Sequence, residues 1–474
     1  MVFNSFEFTV FLPLVFVLYW TVLRKRQNAL LLVASYIFYG WWDWRFLSLI
    51  VVSTFTDFLV AGAIARTEVE KRRRMLMLVS IVVNLGILAF FKYFNFFIDS
   101  TAGMLDSVGL EPNLPTLRIL LPVGISFYTF QTLGYTIDVY RRKMEPATHL
   151  LAFAVYVAYF PQLVAGPIER ASRLLPQIER VRIRLTSPQF TSGLYLILIG
   201  LFKKVVIADG IAPIVNEAFG RSASGDWLRL LFGVYAFALQ IYGDFSGYSS
   251  IARGTSRLLG IELIENFRQP YLARNITHFW RTWHISLSNW LRDYLYISLG
   301  GNRRGKWLTY RNMMLTMLLG GLWHGAAWTF VVWGGLHGLY LAVHRSLRHK
   351  SPKQANDPFT VGDIIPALVT FHLVVLSWIF FRADSFVQAR DYVTGIVTLR
   401  GGVPDLVAAA DVLALLVPLG LASFAIDLAQ RQGRSQLALL RWPEVARGLA
   451  FGTMLVALVV FTGNETVPFI YFQF

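Results

Sequence analysis

Two histidines stand in surroundings where hydrophobicity alone does not account for them. His324 lies in the apolar, glycine-rich sequence GGLWHGAAWTFVVWGGLHG, and His284 lies in the preceding aromatic-rich sequence FWRTWHISLSNWLRDYLYISLGG. An ionisable group within apolar sequence of membrane-spanning length is costly, and it commonly marks a site that handles protons, ions or substrate. A neutral imidazole is a natural general base for a hydroxyl near neutral pH. The pattern predicts a membrane enzyme built around this pair.

Each histidine also has a purely structural interpretation. His324 can be a buried histidine that bonds to a neighbour, and its context supports this interpretation as well as the catalytic one. His284 can lie at a membrane interface, which its composition alone slightly favours. The histidines are not spaced four residues apart with a nearby Glu, so the sequence predicts neither a zinc site nor another bound metal.

Other polar residues near the pair are further candidates. The run NWLRDY sets Arg292 beside Asp293, which suits either a phosphate-rich donor or an internal salt bridge. Asp244, in QIYGDFSGY, can orient a histidine, although pairing with a basic residue for structural reasons is the commoner outcome. The sequence contains neither a P-loop nor the glycine-rich fingerprint of a dinucleotide site.

The elements that must position these residues are predicted to be membrane helices. Of 474 residues, 55% are hydrophobic and only 15% are charged, whereas a typical soluble domain has about 25% charged residues. The mean hydropathy is +0.51. At about 20 apolar residues per crossing, the chain has room for roughly ten to twelve crossings. It has no cysteine, which excludes thiolate catalysis and disulfides.

The net charge of +16 is explained by the predicted arrangement of membrane helices. Basic clusters at residues 24–26, 71–74 and 141–143 fall in short connections between apolar segments, so the positive-inside rule assigns them to the cytoplasmic side. Topology and anionic lipid headgroups account for the charge. We therefore predict membrane lipid as a partner and no nucleic acid.

Three segments depart from simple crossings. Residues 150–166 have basic flanks on both sides and end in Pro and Gly, which favours a re-entrant or paired element as much as an ordinary helix end. Residues 253–311 interleave arginines with aromatic residues, as amphipathic helices at the cytoplasmic interface do. Residues 312–343 have basic flanks and several glycines, which predicts two short passes with His324 roughly 20 Å from the basic edge.

Seven segments, in order along most of the chain, resemble the membrane-bound O-acyltransferase family, in particular its bacterial branch that includes the membrane subunit of alginate O-acetylation. They are LLPVGISFYTFQTLGYTIDVYR, FPQLVAGPI, QIYGDFSGYSSIARG, the two histidine segments, WIFFRAD and VPFIYFQF. One departure is Ser298, where related sequences usually have Pro, and it concerns the shape of a loop.

The resemblance implies one all-α, polytopic, membrane-embedded domain over residues 1–474, with its catalytic core at about 119–345. About 11 transmembrane helices, with re-entrant and interfacial helices, would surround a central tunnel. A cytoplasmic thioester donor, acetyl-CoA, would meet its acceptor there as a substrate, and no bound cofactor is expected.

The resemblance also implies roles for residues. The family's histidine in the apolar span matches His324, and its second polar position matches His284. We expect His324 to take the acceptor proton and His284, with Trp283 or Asn289, to position the acyl group. The residues expected at the tunnel or the substrate are Trp283, Asn289, Arg281, Arg292, Asp244 and Trp323.

The expected function is acetyl transfer across a bacterial inner membrane toward a secreted polysaccharide such as alginate. The resemblance implies a periplasmic partner of the serine-hydrolase-like SGNH class, which would pass the acetyl group on. Two alternatives within the family are D-alanyl transfer from an acyl carrier protein and O-acetylation of peptidoglycan. A transporter or flippase also uses buried histidines and broken helices, but no inverted repeat is visible.

Overall fold

The computed structural model describes residues 1–110, 117, 119–164, 166–220, 226–347, 357–463, 469 and 470, without the side chain of Ala408. Helices account for the regular structure of these residues, and no β-strand occurs among them, so the predicted all-α class is confirmed. Two predicted segments lie partly outside the described residues. These are Ala165 of FPQLVAGPI and all of VPFIYFQF except Phe469 and Ile470.

Membrane-spanning character is evident in the long apolar helices. Within the described residues, five helices are long and apolar enough to cross a membrane: Arg24–Ala65, Glu70–Ser107, Val361–Arg382, Ala409–Gln432 and Glu444–Phe461. Valines 456, 459 and 460 on the last helix are 65–76% exposed. Apolar surface exposed to this extent suits contact with lipid. The predicted total of about eleven crossings stays a prediction.

The chain divides into two compact units, Met1–Phe190 with Thr255–Ile264, and Thr191–Gly254 with Glu265–Phe474. The single domain expected from the sequence stays a prediction. The first unit contains α1 Phe6–Trp20, α2 Gln27–Asp43, α3 Leu47–Ala65, α4 Glu70–Leu88, α5 Phe94–Ser107, α6 Ile125–Tyr140, α7 Leu150–Ala158, α8 Phe160–Leu163 and α9 Ala171–Glu179.

The interrupted helix predicted at residues 150–166 is present in the first unit. Helix α7 ends at Ala158, Tyr159 leaves the helical conformation with φ −53° and ψ 106°, and α8 starts with Pro161 in its first turn. The freed N–H of Phe160 donates to Ser35 Oγ at 3.1 Å. Both helices are almost entirely buried, as broken backbone at membrane depth must be.

The second unit carries the remaining helices, although α10 begins and α12 ends with residues of the first unit. These helices are α10 Ser187–Leu201, α11 Gly210–Gly220, α12 Trp227–Leu258, α13 Ile276–Thr282, α14 Ile285–Trp290, α15 Lys306–His324, α16 Trp328–Leu347, α17 Ile364–Arg382, α18 Phe386–Val397, α19 Leu406–Gln432 and α20 Glu444–Phe461.

Helices α15 and α16 form the hairpin predicted from the basic flanks and glycines. Their backbones approach closely because glycines face each other: a Cβ on Gly321 would lie 2.2 Å from Phe330 O, and one on Gly334 would lie 2.3 Å from Met317 O. Small residues allow such close helix packing in membranes. Since α15 begins at Lys306, before the predicted start, His324 ends the helix about 27 Å along its axis.

Candidate active site

His324 is buried at the end of α15, with 3% of its surface exposed. Aromatic rings surround it, with centroid distances of 5.0 Å to Trp323, 5.1 Å to Trp333 and 5.4 Å to Phe381. The next residue, Gly325, leaves no room for a side chain, because a Cβ there would lie 2.0 Å from the Phe330 ring. The turn after α15 therefore holds His324 against a rigid aromatic wall.

His284 is placed by a break between two short helices. Trp283 follows α13 in an extended conformation, and His284 then takes a left-handed conformation, φ +43° and ψ 54°, before α14 begins. A non-glycine residue in this region costs about 1–3 kcal/mol, and such strain often occurs at functional sites. His284 is fully buried, and its ring meets the Phe245 ring edge-on at 4.7 Å.

Asn266 orients the His284 ring. Its Oδ1 accepts hydrogen bonds from the Ser286 N–H at 3.1 Å and the Ser286 hydroxyl at 2.9 Å, and it lies 3.3 Å from His284 Nδ1. A backbone N–H can only donate, so this Asn266 atom is the amide oxygen, and His284 Nδ1 must carry its proton. His284 Nε2 then bears the lone pair and acts as an acceptor.

The two histidines come together in the second unit. Their ring centroids are 6.3 Å apart, and Trp323 lies 6.0 Å from the His284 ring. Two hydrogen bonds of 2.6–3.2 Å from one oxygen atom span about 5–6 Å. The ring centroids are therefore close enough for one substrate oxygen to lie between the two imidazoles.

Burial also affects the chemistry of the His284 ring. It lowers the pKa of His284, which lies outside the five candidate spans, to about 3, because a buried imidazole loses the hydration of its charged form. A general base works best with a pKa near the working pH. His284 is therefore a weak base, suited to accept a hydrogen bond while staying neutral.

Two predicted aromatic residues lie beside the pair. Trp323 contacts both His284 and His324. Trp283 is 1% exposed and stacks on Phe279 at 5.5 Å. Trp283 thus supports the backbone break that positions His284, whereas Trp323 lines the space between the two histidines.

Three predicted polar residues, on α13, on α14 and just after α14, are less buried than the two histidines. Arg281 and Arg292 have exposed side chains, and Arg292 Nε pairs with the Asp293 carboxylate at 2.7 Å. The arrangement favours the internal salt bridge over the donor site for Arg292. Asn289 is half-buried on α14. Roles in catalysis for these residues stay predictions.

Asp244 belongs to a buried ionic cluster. Its Oδ1 pairs with Lys204 Nζ at 2.9 Å, and Lys204 also pairs with Asp209 at 2.7 Å. The other oxygen of Asp244 accepts the Ile470 N–H at 2.7 Å. These contacts favour the structural role for Asp244, which is pairing with a basic residue. Asp244 also ties the C-terminal segment to α12. Phe469 in that segment packs 4.3 Å from the Tyr248 ring.

Several residues around the pair were missed by sequence reasoning: Asn266, Phe245, Trp333 and Phe381. Asn266 precedes His284 by a loop and a helix, and it carries no motif of its own. The aromatic residues look like ordinary core positions. Phe245 and Phe381 do fall in the quoted segments QIYGDFSGYSSIARG and WIFFRAD, which was the available signal.

Comparison with known proteins identifies the family. The family model described as MBOAT, membrane-bound O-acyltransferase family, matches residues 74–383, which include both histidines. The chain belongs to this family. This membrane-bound O-acyltransferase is accordingly an enzyme with a polytopic helical fold, which removes the support for a transporter.

Relatives with names refine the comparison. The acyltransferase is 44% identical to a probable alginate O-acetylase AlgI of Pseudomonas putida, over 83% of this chain and 79% of that protein. It is 45% identical to the protein of the same name in Pseudomonas aeruginosa, over 81% and 72%. A peptidoglycan O-acetyltransferase of Helicobacter pylori is 37% identical, over 82% and 78%. The predicted resemblance to the bacterial branch of the family is confirmed.

Proposed function

We propose that this chain transfers an acetyl group from cytoplasmic acetyl-CoA, across a bacterial inner membrane, toward a secreted alginate-like polysaccharide. The observation that carries the proposal is the buried pair His284 and His324, whose ring centroids are 6.3 Å apart. Similarity to proteins named as alginate O-acetylases, over more than four fifths of the chain, supports the acetyl group and the acceptor.

The chemistry needs little beyond positioning and one base. A thioester is already activated, so the acceptor oxygen can attack the carbonyl carbon once both are held together. His324 takes the proton of the attacking hydroxyl as the new C–O bond forms. The C–S bond then breaks, and the proton passes to the leaving thiolate, which departs as CoA thiol. His284 Nε2 accepts a hydrogen bond that aligns the attacking hydroxyl.

The acceptor on the far side of the membrane is proposed to be reached through a partner. A periplasmic SGNH-type acetyltransferase would take the acetyl group and pass it to the polymer. Peptidoglycan is a second candidate acceptor, supported by the similarity to the Helicobacter pylori enzyme. D-alanyl transfer from a carrier protein has weaker support, because the teichoic acid D-alanyltransferase of Bacillus subtilis is 26% identical over 58% of this chain.

The test is release of CoA thiol by the purified full-length protein. The chain contains no cysteine, so a thiol reagent reports free CoA without background from the enzyme. We expect acetyl-CoA to release thiol faster when alginate oligosaccharide and the periplasmic partner are added, and labelled acetyl to appear on the polymer. Release that responds only to peptidoglycan fragments would move the acceptor to the second candidate. No release with any acceptor would refute the donor.

A further inference from the structure

A polar cavity of about 240 Å³ lies in the second unit, at the end of α19. The described side chains that line it are all polar or charged, and they include three arginines, Arg268, Arg431 and Arg434, with the single carboxylate Glu265. Glu265 is already compensated, because it pairs with Arg268 at 2.7 Å. The cavity therefore carries excess positive charge that the proposed acyl transfer does not use.

Arg431 carries the strongest indication of a ligand. Its residue surface is 2% exposed, and its Nε donates to Asp357 O at 2.8 Å. Its Nη2 has no hydrogen-bond partner among the residues that the structure describes. A buried guanidinium nitrogen without a partner is costly, so its retention at the wall of a cavity indicates that an acceptor binds there.

Capping of the α19 C-terminus does not account for these arginines. The last carbonyl groups of the helix already accept backbone hydrogen bonds, with Arg434 N donating to Arg431 O at 3.2 Å and Ser435 N donating to Gln430 O at 3.1 Å. Arg434 itself takes a left-handed conformation with φ +50°, and its side chain is exposed. The Arg434 side chain and Arg431 Nη2 are therefore available to a ligand.

The size and chemistry of the cavity suit a phosphate group. A volume of 240 Å³ corresponds to about eight water molecules, which leaves room for one or two phosphates. Planar guanidinium groups bind phosphate oxygens through paired hydrogen bonds. The Gln269 amide nitrogen donates to Gln430 Oε1 at 3.2 Å, and the Gln430 amide nitrogen donates to Gln436 O at 3.3 Å, which fixes the polar wall.

The cavity lies close to the histidine site along the chain. Gln269 lines it, and Asn266, three residues earlier, orients His284. Three residues span at most about 11 Å, so the Cα atoms of Gln269 and Asn266 are no farther apart than that. The arginines that end α19 are also expected on the cytoplasmic side, because basic residues concentrate there.

We propose that Arg431 and Arg434, together with Arg268, form a binding site for a phosphate ester at the cytoplasmic end of α19. Two sources can supply this chemistry, the phosphates of a CoA thioester and the headgroup of an anionic phospholipid. Binding of the CoA phosphates rests on the proposed function, and it agrees with the short chain distance between Gln269 and Asn266. Binding of a phospholipid headgroup does not depend on the proposed function.

The experiment measures binding to the full-length protein in phosphatidylcholine nanodiscs. CoA and pantetheine, which lacks the phosphates, are the probes. We expect Arg434→Gln to weaken CoA binding by about tenfold, as loss of a hydrogen bond to a charged group does, and to leave pantetheine unchanged. Arg431→Lys keeps the charge but loses the planar fork, so it should weaken CoA binding as well. Arg441→Gln, which changes an exposed arginine outside the cavity, is the matched control.

A second arm separates the lipid source. The same variants are compared in nanodiscs with and without phosphatidylglycerol, and the thermal midpoint is measured. A midpoint increase that requires phosphatidylglycerol in the wild type and is lost in Arg434→Gln assigns the phosphate to lipid. Unchanged CoA binding and unchanged lipid response in both variants would overturn the site. Failure of the proposed function is distinguishable, because it appears as absent acetyl transfer by the wild type.

Discussion

The amide oxygen of Asn266 lies 3.3 Å from His284 Nδ1 while it accepts two hydrogen bonds from Ser286. One atom thus ties the loop before α13 to the start of α14 and sets the tautomer of the ring between them. His284 keeps its strained, left-handed backbone conformation because this network and the surrounding aromatic rings hold it. Asn266 is therefore a positioning residue for the proposed reaction.

Replacement of Asn266 tests this role. Asn266→Ala should lower kcat by about 100-fold, because a small displacement of a positioned group has an effect of that order, while KM for acetyl-CoA changes little. Asn266→Asp retains the acceptor oxygens, and its carboxylate should raise the pKa of His284. The pH–rate profile of Asn266→Asp should therefore differ from that of the wild type, because His284 would titrate at a higher pH. A wild-type kcat in Asn266→Ala would contradict the positioning role.

Replacement of His324 tests the assignment of the base. His324→Ala should lower the rate of acetyl transfer by about 10²–10⁴-fold, the usual contribution of a general base. Equilibrium binding of CoA should persist, because the ring acts on the acceptor. The measurement is thiol release together with CoA binding, and His149→Ala, which changes an exposed histidine, serves as the control. Full activity in His324→Ala would refute the assignment.

The pH dependence of turnover tests the state of His284. Its pKa of about 3 leaves the ring neutral between about pH 5 and 9, because protonation sets in only as the pH falls toward the pKa. His284→Gln should therefore lower the rate without changing the shape of the pH–rate profile in this window. If His284→Gln removes an inflection near neutral pH, the ring titrates there and its assignment as a neutral acceptor is wrong.

Replacement of Gly325 tests the packing of the turn after α15. In Gly325→Ala, the added Cβ would meet the Phe330 ring at 2.0 Å, so the ring or His324 must move. Overpacking of this kind costs about 1–3 kcal/mol, which should lower the thermal midpoint, and displacement of His324 should lower the rate.

A matched substitution and a compensating one complete this test. Gly452→Ala adds the same methyl group to α20, where nothing lies within 4 Å of the new Cβ, so the rate should stay unchanged and the thermal midpoint should stay level or rise, because alanine favours a helix more than glycine does. Adding Phe330→Leu to Gly325→Ala should recover part of the stability, because neighbouring positions couple. Equal effects of the two alanine substitutions would show that the Phe330 contact is unimportant.

The sequence was most informative where physical constraints act locally. Apolar length, glycines and basic flanks predicted the α15–α16 hairpin, and Pro and Gly predicted the interruption near Tyr159, because each pattern limits backbone conformation over a few residues. The cost of burying a histidine in apolar sequence singled out His324 and His284 in the same way. The start of α15 was missed, because the apolar segment begins only at residue 312, whereas the helix already begins at Lys306 in the basic connection before it.

The sequence by itself determined that the chain is helical, suited to a membrane and equipped with two costly histidines, since hydropathy and ionisation are properties of the residues. Only the tertiary structure decided which groups meet. It brought His284 to His324, assigned Asn266 to orient the ring, paired Asp244 with Lys204 and left Arg281 exposed. Such contacts join side chains far apart in the chain, and their distances depend on how helices pack, which no local pattern of residue types encodes.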